Sequence, residues 1–304
     1  MIKRLKMEYN QLGKSKIQIS KIGFGCMSLE GDYAALDKLL NTAIERGINY
    51  FDTADIYDSG RNEIELGKAL KPFRKKIFIA TKGGNQPKPD GSGLIWNPTK
   101  AYIMKACEES LKRLKTDHID LYQLHGGTIE DPIDETIEAF EALQQQGKIR
   151  YYGISSIRPN VIREYVKRSN IVSVMMQYSL LDRRPEEQCL DFLKEHNIGV
   201  LARGIVAGGL LVDKAAKEYL GYTTAEVETM SNAVGSLSGR HRTKAQTAIQ
   251  FVLKHSAVNA AVAGIRTLAQ LEDALQTLQA EPLTQQEFSQ LQNILPLNQY
   301  KEYR

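Results

Sequence analysis

Short, nearly continuous apolar runs punctuate the chain. Ile22-Gly23-Phe24-Gly25 opens the series. Ile48-Asn49-Tyr50-Phe51, Ile77-Phe78-Ile79-Ala80, Ile119-Asp120-Leu121-Tyr122-Gln123-Leu124 and Ile149-Arg150-Tyr151-Tyr152-Gly153-Ile154 follow. Residues 171–178, Val200-Leu201-Ala202 and Ala260-Ala261-Val262-Ala263 complete it. Most lack the alternation of half-exposed antiparallel strands and suit parallel strands buried on both faces. Between these runs, apolar residues recur at three and four. Leu36, Leu39, Leu40, Ala43 and Ile44 do so, with Gly47 as a helix stop. So do Ile103, Ala106, Cys107, Leu111 and Leu114, where Asn97-Pro98 reads as a cap and first-turn proline. Ile137, Phe140 and Leu143 run to Gly147. Further helices are expected over 62–70, 159–168, 186–196, 244–255, 267–279 and 284–294, and 212–240 reads as helical only in part.

Eight strand-then-helix units in one chain predict a closed (β/α)8 TIM barrel, which takes roughly 250 residues. We expect one domain over 1–304, with the surplus forming an N-terminal β-hairpin (7–19), a long loop (83–97) and an extra C-terminal helix. The rival is an open doubly wound sheet, whose dinucleotide form needs G-x-G-x-x-G running into a helix. Gly23 and Gly25 supply only part of that pattern, and Gly31 interrupts the helix start.

Composition narrows the setting. With 42% apolar and 25% charged residues the chain reads as globular, and a net charge of +4 calls for neither nucleic acid nor an anionic membrane. Cys26, Cys107 and Cys189 stand too far apart for a disulfide framework or metal-ligand spacing. The basic start, residues 1–6, is followed by no apolar stretch, and the run 171–181 is short of the roughly 20 residues that span a membrane. These features point to a reducing, cytoplasmic setting.

In a barrel of this type the chemistry sits where the strands end. Strand two ends at Asp52, with Tyr57 just beyond; strand three ends at Lys82 and strand four at His125. A buried lysine needs a carboxylate, which Asp52 on the next strand can supply. An ammonium beside Tyr57 should lower its pKa and suit it to proton transfer. A neighbouring histidine can donate to a carbonyl oxygen. The set protonates an alkoxide but supplies no hydride, so a hydride-carrying cofactor is implied. Taken singly, each residue fits an ordinary packing or ion-pair role. Their arrival at the ends of consecutive strands favours the catalytic reading.

These residues resemble the aldo-keto reductase family over nearly the whole chain. The likeness runs from Tyr9-Asn10-Gln11-Leu12-Gly13 through Phe51-Asp52-Thr53-Ala54-Asp55-Ile56-Tyr57, Ala80-Thr81-Lys82 and Asp120-Leu121-Tyr122-Gln123-Leu124-His125 to Gly153-Ile154-Ser155. The resemblance implies reduction of aldehydes or ketones with NADP(H), and a tetrad of Asp52, Tyr57, Lys82 and His125. It implies that Ser155 and Gln177 hold the nicotinamide amide. Ser156 stands where an asparagine is usual, and Arg203 where an aromatic commonly stacks; a guanidinium plane can also stack. Gly208-Gly209-Leu210-Leu211 matches the pyrophosphate loop, with Lys214 near it. Gly264, Arg266, Gln270 and Asp273 match the adenosine end, Arg266 offering a fork to a 2′-phosphate, while Ala274 replaces a frequent asparagine.

A different class is a non-catalytic or redox-sensing NADP(H)-binding subunit on the same fold, against which the intact tetrad argues. A metal-dependent hydrolase finds no His and carboxylate cluster at the strand ends. The Arg240-His241-Arg242 cluster with Lys244 has no aromatic companions and reads as a solvated face. The implied partner is a small carbonyl compound. Oligomeric state leaves no mark on the sequence.

Overall fold

The computed structural model describes residues 7–29, 32–239 and 241–304. The basic start at residues 1–6, Gly31, and Arg240 of the basic cluster lie outside the described residues. Eight parallel strands close into a barrel. In chain order they are Ile22–Gly25, Tyr50–Asp52, Phe78–Gly83, Ile119–Leu124, Ile149–Ser155, Ser173–Gln177, Gly199–Arg203 and Val258–Gly264. The eighth pairs with the first, Val262 opposite Gly23, so no edge remains. Among the described residues no helix is long and apolar enough to cross a membrane.

The continuous apolar runs have two partners, one on each face. Tyr50, Ala80, Leu121, Met175, Leu201 and Val262 point into the barrel, where Leu12, Ile17 and Ile19 of the N-terminal hairpin plug the foot. The hairpin strands, Tyr9–Gln11 and Gln18–Ser20, pair antiparallel. Gly13 at the turn has φ +49°, and a Cβ there would lie 2.2 Å from the Val172 carbonyl oxygen. Only glycine lets the hairpin press this close. The alternate strand residues, such as Phe24, Phe51 and Ile79, face outward into the core shared with the helices.

Helix starts follow local capping. Asp32 accepts from the Ala35 amide at 2.8 Å ahead of helix Tyr33–Glu45. Thr223, Thr243 and Thr284 form reciprocal capping boxes with Glu226, Gln246 and Glu287. The region 212–240 contains helix Thr224–Ser236, and the C-terminal helix is Gln285–Gln292.

Some expectations need correction. The sixth strand spans Ser173–Gln177 rather than 171–178. The helix expected at Asn97-Pro98 begins later, at Lys100, with Thr99 as cap. Asn97 Oδ1 accepts from the Thr99 amide and hydroxyl at 3.2 and 2.7 Å, a local turn that competes with the helix. The stretch 186–196 is two short helices, Pro185–Gln188 and Leu190–Glu195, joined at buried Cys189. The loop 83–97 carries its own hairpin, Asn85–Pro87 against Leu94–Trp96.

Candidate active site

The period-two alternation that aims apolar residues inward also aims the next inward positions at the mouth. Two residues beyond Tyr50 stands Asp52, two beyond Ala80 stands Lys82, and two beyond Leu121 stands Gln123. Register places Asp52 opposite Ala80, and Lys82 opposite Gln123. Each of these polar side chains therefore stands one inward position above the apolar side chain of its own strand.

Lys82 is 1% exposed. Its Nζ donates to Asp52 Oδ1 at 2.5 Å and to the Thr53 carbonyl at 2.6 Å. The other Asp52 oxygen accepts from Gln123 Nε2 at 3.2 Å. Burial pushes the Asp52 carboxyl up, and Lys82 and Gln123 draw it back only in part. Burial works against the Lys82 ammonium, but Asp52 and Tyr57 together outweigh it and hold its pKa above the usual lysine value.

Tyr57 and His125 complete the group. Lys82 Nζ lies 5.1 Å from the Tyr57 ring centroid, and the Tyr57 and His125 rings meet edge to face at 5.9 Å. The tyrosine's pKa differs from the expectation. Burial raises it above 10, and the Lys82 charge and hydrogen bond offset this only partly, since Asp52 adds to the rise. His125 is depressed to about 3, by burial first and then by Lys82 and Arg203, so it is neutral near pH 7. Its backbone is clamped: the amide donates to Gly83 at 2.8 Å, and its carbonyl accepts from Asn85 at 3.1 Å. Its Nδ1 is buried without a hydrogen-bond partner. Beyond Tyr57, Asp58 and Ser59 hold φ of 47° and 53°. Such left-handed non-glycine residues cost about 1–2 kcal/mol each.

The other expected residues fall around the same rim. Gln177 ends the sixth strand opposite Arg203 on the seventh. Arg203 donates to Gln177 Oε1 at 3.3 Å, while Gln177 Nε2 donates to the Tyr219 hydroxyl at 2.6 Å. Ser155, 8% exposed, ends the fifth strand, and Ser156 Oγ accepts from the Arg158 amide at 3.2 Å. After the seventh strand, Ala207, Gly208 and Gly209 have φ of 49°, 65° and 102°. Leu210 is buried beneath that turn, and the Lys214 stem lies along Gly209. Gly264 ends the eighth strand, exposed. The exposed Arg266 sends its amide to Gln270 Oε1 at 2.9 Å. Asp273 turns instead to helix Lys244–Lys254, accepting from Thr243 at 2.9 Å and Gln246 at 2.7 Å.

Residue-type reasoning missed Gln123, which shares a strand face with His125, so period two alone could have found it. It also missed Tyr219, whose place on Gln177 is set by a loop that no periodicity reports.

Barrel, mouth and motifs agree with the comparisons. The family model described as "Aldo/keto reductase family" matches residues 21–296, and the chain belongs to that family. It is an oxidoreductase of the aldo-keto reductase type acting on small molecules. It is 50% identical to the uncharacterized oxidoreductase YqkF of Bacillus subtilis, over 98% of this chain and 100% of the relative. It is 31% identical to probable aldo-keto reductase 1 of Glycine max, over 94% and 88%. The holo form of aldo-keto reductase AKR11C1 from Bacillus halodurans superposes with a TM-score of 0.92 at 48% identity, covering 98% of this chain and all of that one. Its apo form gives 0.85 at 46% identity, with the same coverage.

Proposed function

We propose that the chain, acting as one domain, reduces aldehydes and ketones to alcohols with NADPH, Tyr57 being the proton donor. The observation that carries this reading is the meeting of Lys82 with Asp52, and of Tyr57 with Lys82 and His125, at the barrel mouth. The rim suits a dinucleotide. Ser155 and Gln177 offer a hydroxyl and an amide to a carboxamide, and Arg203 offers a plane for stacking. The turn with Leu210 and Lys214 suits a pyrophosphate, since a Cβ on Gly208 would meet nothing within 4 Å. Gly264, Arg266 and Gln270 line the adenosine end, with Asp273 bracing it from behind. Helix Leu268–Gln276 starts there, and its N-terminus together with Arg266 favours a 2′-phosphate and hence NADP(H). The greater likeness to the holo form of AKR11C1 supports a cofactor-binding arrangement.

When bound, the nicotinamide supplies the hydride to the carbonyl carbon. Tyr57 gives its hydroxyl proton to the carbonyl oxygen, and the tyrosinate left behind faces Lys82. Neutral His125 directs a ring N–H at the same oxygen and orients it. Asp52 keeps Lys82 charged and in place. In the reverse direction Tyr57 takes the proton back.

The test is NADPH absorbance with a panel of aromatic and aliphatic carbonyls, for wild type and Tyr57→Phe. Turnover should fall by roughly 10²–10⁴ while NADPH affinity changes little. A variant near the wild-type rate overturns the assignment. A wild type that binds NADPH but reduces nothing points to the binding-subunit reading. NADH used as well as NADPH removes the 2′-phosphate role of Arg266.

A further inference from the structure

The wall behind the mouth holds more acid than base. Asp55 leaves the second strand, and its amide donates to the Lys82 carbonyl at 3.2 Å. Its carboxyl lies in the field of Glu63 on helix Arg61–Leu70, of Arg113 and Tyr102 on helix Lys100–Leu114, of Tyr122 on the fourth strand and of Lys82 on the third. Glu63, 0% exposed, already takes the cation: Arg113 Nε donates to it at 2.6 Å, and the Thr81 hydroxyl at 2.6 Å. Arg113 also reaches Ser110 Oγ at 3.1 Å, and Lys82 is committed to Asp52. Asp55 and Glu63 thus share Arg113 and the field of Lys82, while Arg203 acts on Asp52 from the seventh strand, and Asp55 Oδ1 is buried with no hydrogen-bond partner.

A buried oxygen without a partner, beside a like charge, favours the protonated acid. Burial and Glu63 push Asp55 up to about 7, against the pull of Arg113, the Ile56 amide and Lys82. We propose that Asp55 is a positioning residue for Tyr57: it carries a proton in the working enzyme, and release of that proton places a negative charge behind Lys82 that weakens the ammonium's hold on the Tyr57 hydroxyl. With the proton in place, Lys82 acts on Tyr57 at full strength and Tyr57 is the stronger acid. With the proton gone, Tyr57 is the weaker acid and reduction slows.

The kinetic arm of the test rests on the reductase reading; the thermal arm rests only on the buried proton. Asp55→Asn keeps the shape and is permanently neutral. Unfolded Asp55 ionises near pH 4, so wild type should lose thermal stability relative to Asp55→Asn as pH rises from about 4 to 7, and the gap should be constant above that. A gap that does not change with pH overturns the proposal. In wild type, kcat for carbonyl reduction should fall roughly three- to tenfold through pH 7, and Asp55→Asn should stay on the low-pH plateau. A wild type without that fall, or a variant that keeps it, overturns the positioning role even if the thermal gap is present. Glu63→Gln removes the like charge and should move the wild-type inflection to lower pH; an unmoved inflection also counts against the proposal. Failure of the reductase reading would show separately, as a wild type that binds NADPH and reduces no carbonyl at any pH.

Discussion

Two buried carboxylates on neighbouring stretches of the barrel show opposite designs. At the foot, Asp120 near the start of the fourth strand meets Arg74 at 2.7 Å and Arg150 at 3.0 Å, and accepts from the Ile79 amide at 2.9 Å. Arg74 in turn donates to Thr116 at 2.9 Å and to the His118 carbonyl at 2.8 Å. This network ties the turn Lys71–Lys76 to the third, fourth and fifth strands. At the mouth, Asp52 meets the Lys82 ammonium, the Gln123 amide and, at 3.5 Å, the Tyr50 hydroxyl, with Tyr57 and His125 packed beside the lysine. The foot sets two arginines and His118 against one carboxylate, with Asp120 Oδ1 ion-paired but not hydrogen-bonded. At the mouth, burial raises the pKa of Asp52, Asp55 and Tyr57 above their ordinary values, and the nearby cations offset this only in part. Buried charge stabilises only when it is well partnered, and it does chemistry where it is not.

That contrast can be broken from either end. Asp120→Ala leaves Arg74 and Arg150 facing each other and should remove roughly 3–5 kcal/mol of stability, measured by urea unfolding, while the folded fraction keeps its turnover. Loss of turnover with stability intact would make the foot part of the site. Lys82→Met should do the reverse. Turnover should fall by about 10² or more, because the tyrosinate loses its counter-charge. Stability should fall less than in Asp120→Ala, since the stranded Asp52 can take up a proton. A larger stability loss than Asp120→Ala would make the mouth pair a structural one.

The smallest effect concerns His125 and acid. Its folded pKa is about 3 against 6.5 when free, so the folded state keeps it neutral while the unfolded chain protonates it. The stability this provides is present above pH 6.5 and is lost as pH falls toward 3. By pH 5 the loss is about 2 kcal/mol. His125→Gln should lack that part of the acid sensitivity in thermal melts from pH 7 to 5. Parallel melting curves for the two proteins would mean that His125 is protonated in the fold.

Much of this was legible beforehand, for physical reasons that differ by element. Strands buried on two faces read as apolar runs, so the barrel count came straight from the pattern. The hairpin plug was legible because Leu12, Ile17 and Ile19 flank a turn at Gly13. Helix ends were less so. Asn97-Pro98 looks like a start, yet the Asn97 side chain folds onto Thr99 and the helix begins two residues later. The Tyr57 shift runs opposite to the expected direction because a sequence shows the neighbouring lysine and not the depth of burial. Asp273 matches a cofactor position and is nonetheless tied to Thr243 and Gln246.

The sequence by itself determined which side chains stand at and just beyond the strand ends, and so Asp52, Tyr57, Lys82 and His125 as the set we propose to react. Alternation is a local property, and two-residue spacing carries each inward position to the mouth. The tertiary structure decided everything that depends on sums over neighbours. Register brought Gln123 to Asp52, a distant helix brought Arg113 to Glu63 and left Asp55 Oδ1 without a hydrogen bond, and barrel closure set the burial that keeps His125 neutral. Electrostatics in a closed interior depends on every charge within reach and on the water excluded. Those quantities come into being only when segments far apart in the chain meet.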